Sequence, residues 1–377
     1  MGFSLKKKTS PVKAAVAGIS KSISLRPKIE KKAVDVNDLV PTPSTILNLR
    51  CSGRIEGAFL LGSINNIIGD SHSGKSLLSL GILAECAINP RFDNYELVYN
   101  DTENACAFDI EDLFGEKLAQ RLILISTRFH ENFTDDIIKR IDSGKKVIYI
   151  TDSFDGMTTK AADKLYTENM KNREKGNKED GSYGDGKAKL FSAFGSATTN
   201  KFKKSKSCLI IISQTRQTIG FKAMFTPRTR SGGDALKFYS SIELWLAAGK
   251  AAKEGLEVIA TDVMVKISKN KVTGRKSVLE FPIVNDYGID DIHSCITFLG
   301  VSKHWTGSPG AINTKGFWKP EVKKVVKDGE KAEKTIARSN LVKYIEANSL
   351  EEELKKECQI AYDNLMLSIK PNRKKRY

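Results

Sequence analysis

The stretch "GDSHSGKS", Gly69–Ser76, decides the fold of this chain. It fits the pattern of a glycine, four residues, a second glycine, a lysine and a serine or threonine that forms phosphate-binding loops. The apolar run "INNIIG" leads into it and the apolar run "LLSLGILAEC" follows it. The pattern therefore predicts a strand before the loop and a helix after it, which is the context that this motif requires.

The residue types in this loop predict a site for ATP and Mg²⁺. Glycines let backbone N–H groups curl around phosphate oxygens, and the following helix points its positive end at them. Lys75 adds a charge near the β and γ phosphates, and Ser76 can hold Mg²⁺. The predicted nucleotide-binding residues are Gly69, Asp70, Ser71, His72, Ser73, Gly74, Lys75, Ser76 and Leu77.

Two further strand ends supply carboxylates for ATP hydrolysis. The run "KKVIYITDS" ends in Asp152, a position from which an aspartate can hold Mg²⁺. The run "ELVYNDTEN" ends in Asp101 and Glu103, and a carboxylate there could orient and deprotonate the attacking water. Acidic residues after strands are also common turn formers, so spacing alone leaves the role of Glu103 open.

Short apolar runs that alternate with helical stretches define the fold class. The runs are "INNIIG", "ELVYN", "LILIS", "KVIYITD", "SCLIIIS" and "VMVKIS". This alternation predicts an α/β fold with a parallel sheet covered by helices on both faces. The segment 159–207 interrupts the alternation, and its Gly-rich part, 172–186, is too polar to pack and is expected to be a mobile loop.

The charge of the chain points to a polyanion as partner. Its 377 residues include 61 Lys and Arg against 45 Asp and Glu, a formal charge of +16, which favours nucleic acid ahead of an acidic membrane surface.

The six cysteines are scattered and the histidines are only four, so neither a disulfide framework nor a zinc module is indicated. With no apolar run of bilayer length and no secretory signal, we expect a cytoplasmic protein.

The two ends of the chain carry helical patterns and clustered positive charge. "SPVKAAVAGISKSI", residues 10–23, has an apolar stripe at helical spacing and predicts a short amphipathic helix that docks on this chain or on a neighbouring subunit. Beyond the turn-rich boundary near residue 300, residues 339–369 predict two helices of a small terminal domain. The tail "KPNRKKRY" is basic.

From about residue 41 to about residue 300 the chain resembles the RecA-type recombinases, with the size and divergence of the UvsX-like recombinases of tailed phages. The segments that carry the resemblance are "GRIEGAFLLGSINNIIGDSHSGKS", "YNDTEN", "VIYITDS", "CLIIISQTRQTIG", "GGDALKFYSS" and "VKISKNK". The string "GGDALKFYSS" is the most specific of them. The resemblance implies a RecA-like ATPase core over 46–300, an N-terminal arm with a polymerisation helix over 1–45, and a small C-terminal domain over 301–377.

The resemblance also implies roles for single residues. Glu103 would activate the hydrolytic water, and Gln214 would sense the γ-phosphate. In the first DNA-binding loop, about 157–192, Lys189 and Ser192 would contact DNA. The second loop, about 215–234, would bind single-stranded DNA, and Lys269 and Lys271 would reach across the subunit interface to a neighbour's ATP. The DNA-binding residues implied for the second loop are Arg216, Gly232, Gly233 and Asp234.

Several residues depart from the bacterial pattern. Thr218 and Asp234 stand where a lysine and an asparagine are usual, and Glu243 replaces a usual arginine. The basic tail stands where bacterial members have an acidic one, so it should add salt-sensitive affinity for duplex DNA. Phe238 and Tyr239, at the start of a predicted apolar helix, could stack on bases or pack in the core, and the resemblance places Phe238 at the subunit interface.

The function expected from these features is that of a DNA-dependent ATPase and homologous recombinase. It would form helical filaments on single-stranded DNA with ATP and Mg²⁺, pair with homologous duplex DNA and exchange strands, with single-strand-binding and mediator proteins as further candidate partners and no membrane partner. If the chain is encoded by a phage, its compartment would be the host cytoplasm. The alternatives are a hexameric helicase on the same ATPase core and a recombination mediator or annealing protein that binds ATP and DNA without exchanging strands.

Overall fold

The computed structural model describes residues 34–176, 178, 186–217, 228–230, 233–319 and 335–370. From Val36 onward they belong to one compact unit. Several predicted features lie wholly or mostly outside the described residues: the N-terminal arm over 1–45 with its helix over 10–23, the Gly-rich segment 172–186, the second DNA-binding loop over about 215–234 with Thr218 and Gly232, and the basic tail.

A ten-stranded sheet forms the centre of the described part of the chain. After the short antiparallel pair β1 (Leu39–Val40) and β2 (Phe59–Leu60), its strands are β3 (Ile64–Gly69), β4 (Tyr95–Asp101), β5 (Leu122–Ile125), β6 (Lys146–Asp152), β7 (Cys208–Gln217), β8 (Arg228–Arg230), β9 (Ser240–Glu254), β10 (Glu257–Asn270), β11 (Ser277–Val284) and β12 (Gly288–Ile289). The order across the sheet is β12-β11-β10-β9-β3-β7-β6-β4-β5, with β8 paired to β7.

The half of the sheet that carries the phosphate-binding loop is parallel. Strands β9, β3, β7, β6, β4 and β5 all run in one direction, whereas β10, β11 and β12 extend the other edge as antiparallel neighbours. The α/β fold with a mostly parallel central sheet, predicted from the apolar runs, is confirmed. The carboxyl ends of β3, β4, β6 and β7 therefore meet at one edge, where ligands bind in such sheets.

The helices, in chain order, cover both faces of the sheet. They are α1 (Thr45–Ser52), α2 (Lys75–Ile88), α3 (Ile110–Phe114), α4 (Glu116–Arg121), α5 (His130–Asp142), α6 (Lys160–Glu174), α7 (Lys187–Ser205), α8 (Gly233–Tyr239), α9 (Asp291–Val301), α10 (Arg338–Ala347) and α11 (Glu351–Ser368). Two 3₁₀ turns, Val36–Asp38 and Pro90–Phe92, and a short hairpin of β13 (Thr306–Ser308) and β14 (Ala311–Asn313) complete the described elements.

Alternation along each central strand divides the core into two clusters. On β6, Ile148 and Ile150 belong to the cluster that includes residues of α1, α2, α9 and the C-terminal helices, whereas Val147 and Tyr149 belong to the cluster with α5, α7 and α8. Both faces of the strand are buried because successive side chains point to opposite sides. Because both faces are buried, apolar side chains are needed on both sides of these strands, which explains the near-continuous apolar runs of the sequence.

The structure corrects two expectations about the chain between β6 and β9. Helix α7 packs Phe191, Phe194 and Phe202 into the core, so 187–205 continues the alternation of strands and helices and does not interrupt it. The predicted apolar helix after Phe238 is wrong: α8 ends at Tyr239, and "SSIELWL" begins strand β9. A short continuous apolar run fits a buried strand as well as a buried helix, so periodicity could not decide between them.

The two predicted C-terminal helices are present as α10 and α11. Leu341, Leu354 and Cys358 from these helices lie in the same core cluster as the sheet, and Trp305 is fully buried beside Phe317 at 5.2 Å between ring centroids. No helix of the described ranges has the length and apolar character needed to cross a membrane.

Candidate nucleotide and DNA site

The loop between β3 and α2 is shaped by two glycines. Gly74 has φ of +80°, a conformation that side chains rarely adopt, and α2 begins at the next residue, Lys75. A Cβ on Gly69 would lie 2.4 Å from Oγ of Ser73 and 2.7 Å from the carbonyl oxygen of Leu246. The backbone therefore turns within a space that only glycine permits, which is the cradle that phosphate oxygens require.

Lys75 lies inside this cradle. Its Nζ donates to the carbonyl oxygen of Asp70 at 2.5 Å, and the residue is buried. Burial lowers the pKa of Lys75, while nearby carboxylates, Asp152 first among them, raise it. The ammonium group of Lys75 therefore lies inside the cradle. A phosphate group bound there would replace the carbonyl oxygen of Asp70 as its partner.

Asp152, at the end of β6, accepts two hydrogen bonds from hydroxyl groups. The Oγ of Ser76 donates to its Oδ2 at 2.5 Å, and the OH of Tyr99 donates to the same oxygen at 2.7 Å. Burial raises the pKa of Asp152, and these two hydrogen bonds lower it. A carboxylate beside a serine hydroxyl is the oxygen donor set that Mg²⁺ prefers, so the residues present fit the predicted metal position.

The two carboxylates at the end of β4, Asp101 and Glu103, have different partners. Oδ2 of Asp101 accepts from the backbone N–H of Cys106 at 2.8 Å, so this carboxylate closes a turn. Oε1 of Glu103 accepts from Oγ of Ser153 at 2.6 Å and from Nε2 of Gln214 at 3.1 Å. Of the two side chains, that of Glu103 contacts Ser153, which follows β6, and Gln214, which lies on β7.

A cavity of about 370 Å³ opens beside the loop. Its wall includes His72, Lys75 and Leu77 from the loop and Phe108 from the segment after β4. Thr261 and Ile283 from the antiparallel strands complete one side. An aromatic ring next to a phosphate-binding loop offers a stacking surface for a nucleotide base.

Four of the residues predicted to contact DNA lie where α7 and α8 begin. Lys189 and Ser192 are exposed in the first turns of α7, and Asp234 is exposed in the first turn of α8. Gly233 has φ of +64°, and a Cβ added to it would lie 3.5 Å from Cβ of Ala188. The carboxyl end of the first predicted loop therefore lies against that of the second.

Two ion pairs anchor the second predicted loop at its two ends. At the start, Nη2 of Arg216 lies 3.2 Å from Oδ1 of Asp155. At the far end, Nη1 of Arg230 lies 3.0 Å from Oε1 of Glu243, and both of these side chains are nearly buried. Glu243, one of the residues that were expected to depart from the bacterial pattern, is therefore paired with a positive charge from Arg230.

Lys269 and Lys271 contact the end of α8. Nζ of Lys269 donates to the carbonyl oxygens of Lys237 and Phe238, and Nζ of Lys271 donates to that of Phe238 at 3.1 Å. Burial and then the charge of Lys271 lower the pKa of Lys269 to about 8. Beside these lysines, the Phe238 ring is 71% exposed, whereas Tyr239 packs against Phe191 and Gly195.

Three residues of this site were not predicted as site residues from the sequence. Tyr99 contacts Asp152, Ser153 contacts Glu103, and Asp155 contacts both Gln214 and Arg216. Ser153 and Asp155 follow the end of β6 directly, so their position after a strand could have indicated them. No sequence pattern indicated that Tyr99 belongs to the site, because it lies within an apolar run.

Comparison with known proteins finds relatives that match about two thirds of this chain. The family model described as "RecA N-terminal domain" matches residues 12–290. "Protein RecA" of Allochromatium vinosum is 31% identical over 262 residues, 68% of this chain and 67% of that protein. "Protein RecA" of Pseudomonas putida is 31% identical over 268 residues, 70% of this chain and 67% of that protein. "Protein RecA" of Colwellia psychrerythraea is 29% identical over 262 residues, with 68% of each chain covered.

Proposed function

Because the chain belongs to the RecA family, we propose that it is an ATP-dependent homologous recombinase, which forms filaments on single-stranded DNA and exchanges strands with homologous duplex DNA. The observation that carries the proposal is the hydrogen bond between Gln214 and Glu103. It joins the carboxylate beside the phosphate-binding loop to the residue from which the second DNA loop starts. The likeness to phage recombinases stays a prediction.

ATP would bind in the glycine cradle with its base toward Phe108. The loop residues Gly69 to Leu77 would surround the phosphates with backbone N–H groups, and Lys75 would exchange the carbonyl oxygen of Asp70 for phosphate oxygens. Ser76 and Asp152 would hold Mg²⁺, which when bound neutralises part of the phosphate charge. Tyr99 would keep the Asp152 carboxylate oriented.

Glu103 would act as the general base for hydrolysis. Its Oε1 is held by Ser153 and Gln214, which leaves Oε2 for the attacking water. The water proton would pass to Glu103 as the water oxygen attacks the γ-phosphorus, and the bond from that phosphorus to the bridging oxygen would break so that ADP leaves. Gln214 would sense the γ-phosphate through the same side-chain amide, so nucleotide state and the position of β7 would be coupled.

Single-stranded DNA would bind where the two loops meet. Lys189 and Arg216 supply positive charge, Ser192 supplies a hydroxyl group, and Gly233 allows backbone to approach phosphate oxygens. Gly232 and Asp234 complete this set by resemblance. Positive side chains against phosphates make the affinity dependent on salt.

Assembly into a filament would complete the ATP site. Lys269 and Lys271 would leave the carbonyl groups at the end of α8 and contact the ATP of a neighbouring subunit, where cations stabilise charge on the transferred phosphoryl group. Exposed Phe238 would then be covered by the neighbour. We place this assembly in the cytoplasm, with single-strand-binding and mediator proteins as candidate partners.

The test is to incubate the protein with ATP, Mg²⁺, circular single-stranded DNA and homologous linear duplex. Electron microscopy should find helical filaments, and gel electrophoresis should find joint molecules. Lys75→Ala should abolish both, because the phosphate charge loses its fixed partner. Rings with unwinding activity, or DNA binding without joint molecules, would contradict the proposal and establish a helicase or a mediator instead.

A further inference from the structure

Asp155 joins the two predicted DNA loops at the edge of the nucleotide site. Its Oδ2 accepts from the backbone N–H of Gln214 at 2.8 Å, and its Oδ1 lies 3.2 Å from Nη2 of Arg216. Its backbone carbonyl oxygen accepts from Nζ of Lys187, the first residue of α7, at 3.3 Å. Asp155 therefore contacts both the end of the first predicted loop and the start of the second.

The two members of the ion pair differ in exposure. The side chain of Asp155 is 12% exposed and that of Arg216 is 63% exposed. The carboxylate is fixed by its second bond to the backbone of Gln214, whereas the guanidinium of Arg216 has no backbone contact within the described ranges that would hold it against movement toward solvent. If a stronger anion approaches, Arg216 is the partner that moves.

We propose that Asp155 is a positioning residue that holds the start of the second loop and withholds Arg216 from DNA until a phosphate of the strand displaces the carboxylate. This inference rests on the proposed function, in which Arg216 contacts single-stranded DNA. Within one protomer, the Asp155 carboxylate thus competes with DNA phosphates for the guanidinium of Arg216. This ion pair lowers the affinity for DNA. Because the same carboxylate also bonds to Gln214, it connects the proposed γ-phosphate sensor to the arginine that contacts DNA.

The sharpest variant is Asp155→Asn, because it removes the charge and keeps the shape. The amide oxygen can still accept from the N–H of Gln214, but its NH₂ group then faces Arg216 and cannot pair with a guanidinium. The strand β7 stays anchored while Arg216 is released. Since exposed ion pairs are weak, we expect the affinity for a labelled single-stranded oligonucleotide to rise about two- to fivefold.

Two comparisons separate this effect from a general change of charge. Asp142→Asn removes a carboxylate from another exposed ion pair, that with Lys201, and should leave the affinity near that of the unaltered protein. In an Arg216→Gln background, Asp155→Asn should bring no gain, because there is no guanidinium to release. The salt slope of binding should be the same in Asp155→Asn as in the unaltered protein, because Arg216 contacts a phosphate in both complexes, and it should fall by about 0.7, the value of one phosphate contact on single strands, in Arg216→Gln.

The experiment is a fluorescence titration of the full chain, with and without ATP and Mg²⁺, over a range of salt concentrations. A gain in affinity that depends on Arg216, together with an unchanged salt slope, supports the inference. An unchanged affinity, or an equal gain in the Arg216→Gln background, overturns it while leaving the proposed function intact. If the unaltered protein does not bind the oligonucleotide even with ATP, both are overturned. Should Asp155→Asn fail to unfold cooperatively, Asp155→Ser must show the same dependence on Arg216.

Discussion

Nε2 of Gln214 donates a hydrogen bond to Oε1 of Glu103 at 3.1 Å. Gln214 lies near the end of β7, and Arg216 follows two residues later. Glu103 lies just after β4, two strands away across the sheet. Glu103, a carboxylate suited to activate water, is therefore bonded to Gln214. Only Thr215 separates Gln214 from Arg216, an arginine suited to bind phosphate.

Ser153→Ala should slow hydrolysis without weakening the binding of ATP. The Ser153 hydroxyl donates to Glu103 at 2.6 Å, and hydrogen bonds to charged groups contribute about 1.5–3 kcal/mol. We expect kcat for DNA-dependent ATP hydrolysis to fall about tenfold or more, with KM for ATP little changed. Ser143→Ala, which removes a hydroxyl from the exposed end of α5, is the matched control. A raised KM with unchanged kcat would argue against a role in orienting Glu103.

Tyr99→Phe should make activity more sensitive to acid. Burial raises the pKa of Asp152, and the hydrogen bond from Tyr99 opposes that rise. Without the hydroxyl the pKa of Asp152 rises further, so the carboxylate is protonated at a higher pH as the solution is acidified. The acidic limb of kcat/KM for ATP against pH should therefore move to higher pH. Tyr95→Phe, whose hydroxyl contacts Lys206, should leave the limb in place.

Lys269 should give the activity an alkaline limit. Burial lowers the pKa of Lys269 to about 8, so the ammonium group predominates below that pH and is lost above it. If the charge acts on a neighbour's ATP, kcat/KM should decline as the pH rises through about 8. Lys269→Arg keeps its charge at these pH values and should remove the decline. An identical alkaline limb in both proteins would exclude Lys269 as its source.

Glu243→Leu should destabilise the fold strongly. It leaves Arg230 buried without its 3.0 Å partner, and removing one member of a buried pair costs about 3–5 kcal/mol. Chemical unfolding should show this loss, and the double variant Arg230→Met with Glu243→Leu should recover most of it. Asp142→Leu, in an exposed pair, should cost no more than about 1 kcal/mol. Equal losses for Glu243→Leu and Asp142→Leu would mean that burial does not decide the strength of these pairs.

The sequence predicts the sheet and the phosphate-binding loop because both depend on local patterns. Buried parallel strands require apolar runs, and the loop requires glycine at Gly69 and Gly74. The change from helix α8 to strand β9 at Ser240 could not be predicted, since a short apolar run suits either element. Contacts such as Tyr99 with Asp152 and Ser153 with Glu103 join residues about 50 positions apart, so only the folded sheet reveals them.

The most direct measurement is the affinity for single-stranded DNA with and without ATP in Gln214→Ala. Gln120→Ala is the matched control, because Gln120 also donates to a glutamate, Glu116, but on the exposed surface of α4. In the unaltered protein and in the control, ATP with Mg²⁺ should tighten binding about tenfold, a typical coupling between two sites. Gln214→Ala should bind ATP normally and show no tightening. If Gln214→Ala retains the full ATP-dependent gain in DNA affinity, Gln214 is not the residue that connects the two sites.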